Sequence, residues 1–395
     1  MRARWVLPVI AAGTLIVAVP SGAHGATVAP ITCGATITVD ARLGSDLRNC
    51  PGIGIVIGAD DVRLNLNGHV VDGDGIGDFE GIQVQGHRGV TIENGSVRDF
   101  VEGVAVLNAR QTSVRRLSLF AHRHAGVFVS DSEDIAVEET KSIDIEFPGV
   151  FITRSHNVSV GRNVVSASGS GIGVRMSDHV HVTGNTLTRN TCEGISVADD
   201  ATDNVIEGNT VSANGCDGIT FTNGSDRNLV RGNTVIRNIA GVGIVTSNDN
   251  VVADNSLRDN AFVGAYVFGG DRNRISGNIT TGNGDGSEGG IHVLPDDAGN
   301  APTSNTISNN VVTANTGDGI LVDAGSINTL IRGNVAARNT DDGIDIDSPG
   351  ATVTGNDADR NGDLGIEAVI GVVDGGANAA SRNANPLQCV NVSCR

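Results

Sequence analysis

Three aspartates in the C-terminal half of the chain have the residue type and spacing to cleave a glycosidic bond: Asp323, Asp345 and Asp347. Asp345 and Asp347 are separated by one residue, so on a strand they share a face, roughly 6.6 Å apart. Asp323 stands 24 residues before Asp347. Carboxylates about 5–9.5 Å apart suit the acid/base or nucleophile roles of glycoside cleavage. Crowding raises the pKa of one of them or recruits a cation. His292 and Glu367 fall in the same pattern, as do Tyr266 and Phe268, whose rings could stack on sugars, and Arg175. The plainer reading of these carboxylates is a solvated acidic edge on an acidic protein.

What places them in one pattern is a repeat. Gly208–Phe221 reads GNTVSANGCDGITF, the unit before it GNTLTRNTCEGISV and the unit after it GNTVIRNIAGVGI. An anchor glycine followed by an apolar residue recurs from Gly54 to Gly365, mostly every 22–24 residues. Intervals of 27 after Gly54, 26 after Gly264 and 29 after Gly290 are the exceptions. The apolar residues alternate, as in Ile195/Val197, Ile320/Val322 and Ile344/Ile346. Period two means strand. Short strands, Gly/Asn corners and no helical stretch predict one coil of a parallel β-helix per unit, about 13 coils in all. Coils stacked about 4.8 Å apart give a rod on the order of 60 Å long. In each unit positions one and three after the anchor face inward, and positions two and four form two outward columns. The candidate residues above lie in those columns.

Asparagines fall into two further columns, Asn185 to Asn356 and, five residues later each time, Asn190 to Asn361. Asn tolerates the left-handed conformation of a corner, and stacked amides can bond along the rod. Their role is structural.

With repeats over residues 52–371, the chain resembles the right-handed parallel β-helix superfamily of pectate lyases, polygalacturonases and NosD-like periplasmic proteins. The segment LNLNGHVVDGDG (Leu64–Gly75) is also typical of secreted bacterial β-helix proteins. The resemblance implies a right-handed coil and a sugar chain bound on the outward strand face. The enzyme motifs match poorly. Asn339-Thr340-Asp341-Asp342 resembles the NTD and DD elements of polygalacturonases, but the GHG and RIK segments that follow them there are missing. The catalytic Arg of pectate lyases leaves Arg175 as the candidate, without an acidic cluster in its coil. Copper, linked with NosD-like proteins, lacks Met ligands here, since Met176 is the one Met beyond Met1.

The rest of the chain fits export. Residues 1–25 read as a signal peptide, with Arg2 and Arg4 before an apolar run and Ala23-His24-Gly25 as cleavage site. No later apolar run approaches the ~18 residues that span a bilayer. Residues 26–51 are expected to cap the rod at its start, and 372–395 at its end. Adjacent coils bring Cys192 and Cys216 about 4.8 Å apart, inside the disulfide window. Cys33–Cys50 and Cys389–Cys394 are the other two expected pairs. The net charge of −18 disfavours nucleic acid, anionic membranes and polyanionic sugars unless Ca²⁺ bridges them. One Ca²⁺ loop is conceivable at Asp72, Asp74 and Asp78, where carboxylates alternate with glycine. Asn283-Gly-Asp285-Gly-Ser-Glu288 is similar.

The function expected is an exported protein that binds or processes an extracellular polysaccharide, as a lyase or glycoside hydrolase if it is an enzyme. The competing readings are a non-catalytic structural or adhesive rod and a calcium-stabilised assembly module.

Overall fold

A computed structural model describes residues 30–286 and 288–395. The segment read as a signal peptide lies outside them. Every strand pairs in parallel with its counterpart one repeat on, as in Ile195↔Ile219 and Ile219↔Val242. One sheet stacks 15 strands, from Ala35–Ile37 to Ile366–Ala368. Two more ladders close the cross-section. They run together where the long strands Thr91–Arg98 and Arg110–Phe120 turn the corner without a break. No helix occurs among the described residues.

The coil count is therefore about 15 rather than 13. Ala35–Ile37, inside the segment expected to be only a cap, pairs with Ile55–Ile57 and forms the first strand of the sheet. Small Ala35 follows Gly34 where most other units carry a branched residue. At the other end Ile366 bridges Cys389, so the tail packs onto the last coil.

Alternation sets the core. Ile195, Val197, Ile219, Phe221, Ile344 and Ile346 are all fully buried, each worth about 1.5–3 kcal/mol. The anchor glycine is required by space. A Cβ on Gly218 would meet Val235 Cγ1 at 2.2 Å and the Gly241 carbonyl oxygen at 2.8 Å.

The two asparagine columns form continuous ladders, and a third, Asn204–Asn228–Asn250–Asn273–Asn305, lies at another corner. Asn209 is typical. Its backbone N–H and its Nδ2 both donate to Asn233 Oδ1, at 2.9 and 3.0 Å, and Nδ2 also donates to the Val182 carbonyl. Buried polar groups are thus satisfied where the chain turns. The ladder asparagines do not themselves take the left-handed conformation. The residue before each one does, such as Gly208, Asp254, Arg237 or Ala314.

All three expected disulfides are present, Cys33–Cys50, Cys192–Cys216 and Cys389–Cys394, with Cα separations of 5.4, 4.5 and 6.2 Å.

Candidate active site

The 15-stranded sheet carries the candidate site on its outer face. Register puts Tyr266, His292, Leu321, Asp345 and Glu367 side by side on successive strands. This is the second position after each anchor glycine.

A further column sharpens the site. The residue just before the anchor glycine is Asp217, Asp318 and Asp342 in three coils. Asp318 Oδ1 accepts from the Asp342 backbone N–H at 2.9 Å, and Asp342 Oδ1 accepts from the Leu364 N–H at 2.6 Å. Asp217 accepts likewise from Ala240. Each carboxylate continues the logic of the asparagine ladder with one oxygen. For Asp217 the other oxygen takes the Tyr266 hydroxyl.

At the C-terminal coils these columns meet. One carboxylate oxygen each from Asp342, Asp345 and Glu367 lie within 4.8 Å of one another. Asp342 is buried, Asp345 half-buried and Glu367 exposed. Burial pushes Asp345 up to about 7, helped by the charges of Asp347, Asp318 and Glu367. Burial likewise lifts Asp318 to about 6, against its hydrogen bond from Asp342. Asp342 rises well above the carboxylate range, by burial first and then through its hydrogen bond to Glu367 and the nearby charges. Asp345 Oδ1 is buried with no hydrogen-bond partner, and the backbone hydrogen bond from Ile346 is outweighed by burial and the neighbouring charges. The set can therefore hold protons near neutrality, or a hard cation such as Ca²⁺ in their place.

His292 lies two strands from Asp345, across Leu321, and is enclosed, only 3% exposed. Its Nδ1 is 2.8 Å from Glu288 Oε2, and its Nε2 is 3.0 Å from Asp323 Oδ1, off the axis of a good hydrogen bond. Burial lowers its pKa, but Asp323 and Glu288 outweigh burial and lift it to about 9. Glu288 comes from the longer, 26-residue interval after Gly264, just before the strand Ile291–Leu294. His292 is thus a held imidazolium rather than an outward-facing group.

Tyr266 lies over Gly243 and donates to Asp217, leaving less of its ring open than sequence position two suggests. Phe268 pairs in register with Val245 and Leu294 and is half-buried. Asp347 is exposed at the end of the Asp345 strand. Arg175 lies seven coils away, roughly 34 Å, in an ion pair with Asp199. The Asp72, Asp74 and Asp78 carboxylates do not converge among the described residues. Asp72 pairs with Arg98, Asp74 accepts from the Ile76 N–H, and Asp78 lies 3.3 Å from Arg123.

The family described as right handed beta helix region matches residues 43–187, 102–257, 149–306 and 250–385, together most of the chain. No curated protein matches it in sequence. Among solved structures, the periplasmic alginate epimerase AlgG is similar with a TM-score of 0.55 and 13% identity, over 76% of this chain and 79% of that one. The A-module of mannuronan C-5 epimerase AlgE4 from Azotobacter vinelandii is similar at 0.54 and 14%, over 76% and 88%. At such identities the likeness is one of fold.

Proposed function

The chain belongs to the right-handed β-helix family, and on that premise we propose that it is an exported protein that binds an extracellular polysaccharide along the outer sheet face and cleaves its glycosidic bonds. The observation that carries this reading is the convergence of Asp342, Asp345 and Glu367 within 4.8 Å. Their environments hold Asp345 and Asp342 protonated at pH values where ordinary carboxylates are charged. Asp345 is the general acid that protonates the leaving oxygen. Glu367, the most exposed of the three, is its counter-carboxylate. An approach this close leaves little room for a water between them and matches the spacing of about 5–5.5 Å in retaining rather than inverting hydrolysis. His292, fixed between Glu288 and Asp323, supplies a positive charge two strands away on the same face.

Complete pairing of the six cysteines supports an oxidising, exported location. The alginate and mannuronan epimerases, as proteins of like fold, support a sugar polymer on this face by analogy alone. The net charge of −18 favours a neutral polymer over a polyuronate, or a polyuronate bridged by Ca²⁺.

The test is polymer chain length after incubation with neutral and acidic polysaccharides, with and without Ca²⁺. Shortening of a neutral polymer supports the reading. An unchanged chain length throughout favours a non-catalytic rod, which the unbroken asparagine ladders would equally serve.

A further inference from the structure

A hollow of about 710 Å³ opens far from the acidic cluster. It lies over a corner in the N-terminal half, lined among others by Arg110, Glu133, His156, Met176 and Asp178. The stack of coils sets Glu133, His156, Asp178 and Thr202 one above another. His179 follows Asp178 with φ +54°. That left-handed step breaks the strand alternation, which would otherwise send consecutive side chains to opposite faces.

We propose that His156, Asp178 and His179 form a binding site for a divalent transition-metal ion of the zinc class, with a coordination position open to the hollow. One donor atom of each lies within 4.8 Å of the others. Asp178 Oδ1 is 2.5 Å from His156 Nδ1, and its Oδ2 is 3.8 Å from His179 Nδ1. The two imidazole rings are 4.9 Å apart. Zinc–nitrogen bonds of about 2.0–2.1 Å in a tetrahedron need donors roughly 3.4 Å apart. Small rotations of three half-exposed side chains, 50%, 45% and 56% open, reach that arrangement. Two imidazoles and one carboxylate select zinc-like ions over Ca²⁺ or Mg²⁺. Three protein ligands with a fourth position free is also the pattern of zinc sites that bind or activate a ligand. The same geometry has a simpler explanation, a carboxylate neutralising an imidazolium. The two differ in whether the site takes up metal.

The experiment is calorimetric titration of the exported protein with Zn²⁺. The expected result is one Zn²⁺ per chain, with affinity weakened roughly tenfold or more in both His156→Ala and His179→Ala. Asp345→Asn, which alters the other cluster, should leave that uptake intact, and excess Ca²⁺ should not compete. Both histidines are half-exposed, so the variants should melt with the parent protein, which separates lost ligation from lost folding. Absence of Zn²⁺ uptake overturns the proposal. So does uptake that survives in the His156→Ala/His179→Ala double variant or disappears with Asp345→Asn.

Discussion

The Tyr266 hydroxyl donates to Asp217 Oδ2 at 2.8 Å, reaching back across the coil between them over Gly243. A Cβ on Gly243 would lie 2.6 Å from the Tyr266 ring and hydroxyl, so this glycine keeps the tyrosine flat against the sheet. Burial raises the Asp217 pKa, and the tyrosine hydrogen bond works against that rise. Tyr266→Phe should therefore cost about 1–3 kcal/mol, because it strands a buried acceptor. The urea midpoint measures this. Gly243→Val should cost at least as much by expelling the ring. A midpoint unchanged in both would mean the contact is incidental.

The acidic cluster makes stability depend on pH in a definite direction. The folded-state pKa values of Asp318, Asp342 and Asp345 are raised, to about 6 for Asp318 and about 7 for Asp345. Their contribution is complete below pH 4 and is lost as pH rises through those values. Asp131 behaves oppositely. Its hydrogen bonds from Arg154 and Ser130 hold it down to about 2, so its contribution is lost as pH falls towards that value. The melting temperature should fall between pH 5 and 8, and Asp345→Asn should flatten that fall. A profile flat in the parent protein would contradict the raised values.

His292 tests the enclosed pair independently. Its raised pKa, about 9, means the stability it adds is present below about pH 6.5 and lost as pH rises through 9. His292→Leu leaves Glu288 and Asp323 without their cation. The loss should be about 3 kcal/mol at neutral pH, the low end for a broken buried pair because Asp323 is partly exposed. Thermal unfolding of the variant measures it.

The fold was legible because one physical pattern repeats. Alternating Ile and Val at fixed distance from a glycine specifies both the strand and its inward face, and asparagine at the corners specifies the ladders. The acidic cluster proposed as the site was legible only in part. Asp345, Glu367 and His292 were found because they occupy an outward column. Asp318 was passed over and Asp342 entered only through the poor polygalacturonase match, although Asp217-Gly218-Ile219, Asp318-Gly319-Ile320 and Asp342-Gly343-Ile344 repeat the same triplet in three coils. An aspartate before the anchor glycine looks like a turn residue. That its carboxylate lies buried in the ladder, close to Asp345, depends on packing between coils. The burial of His292 was hidden for a related reason. Alternation assigns it outward, and only the insertion carrying Glu288 encloses it.

The most direct test of the glycosidic reading is release of reducing ends from a neutral polysaccharide by the parent protein and by Asp345→Asn, compared at equal folded concentration. The expected result is release by the parent, falling as pH rises past about 7, and loss of about 10²–10⁴-fold in the variant, the usual contribution of general acid catalysis. Undiminished release by Asp345→Asn would contradict the assignment of the acid. No release by the parent from any polymer would contradict the activity itself.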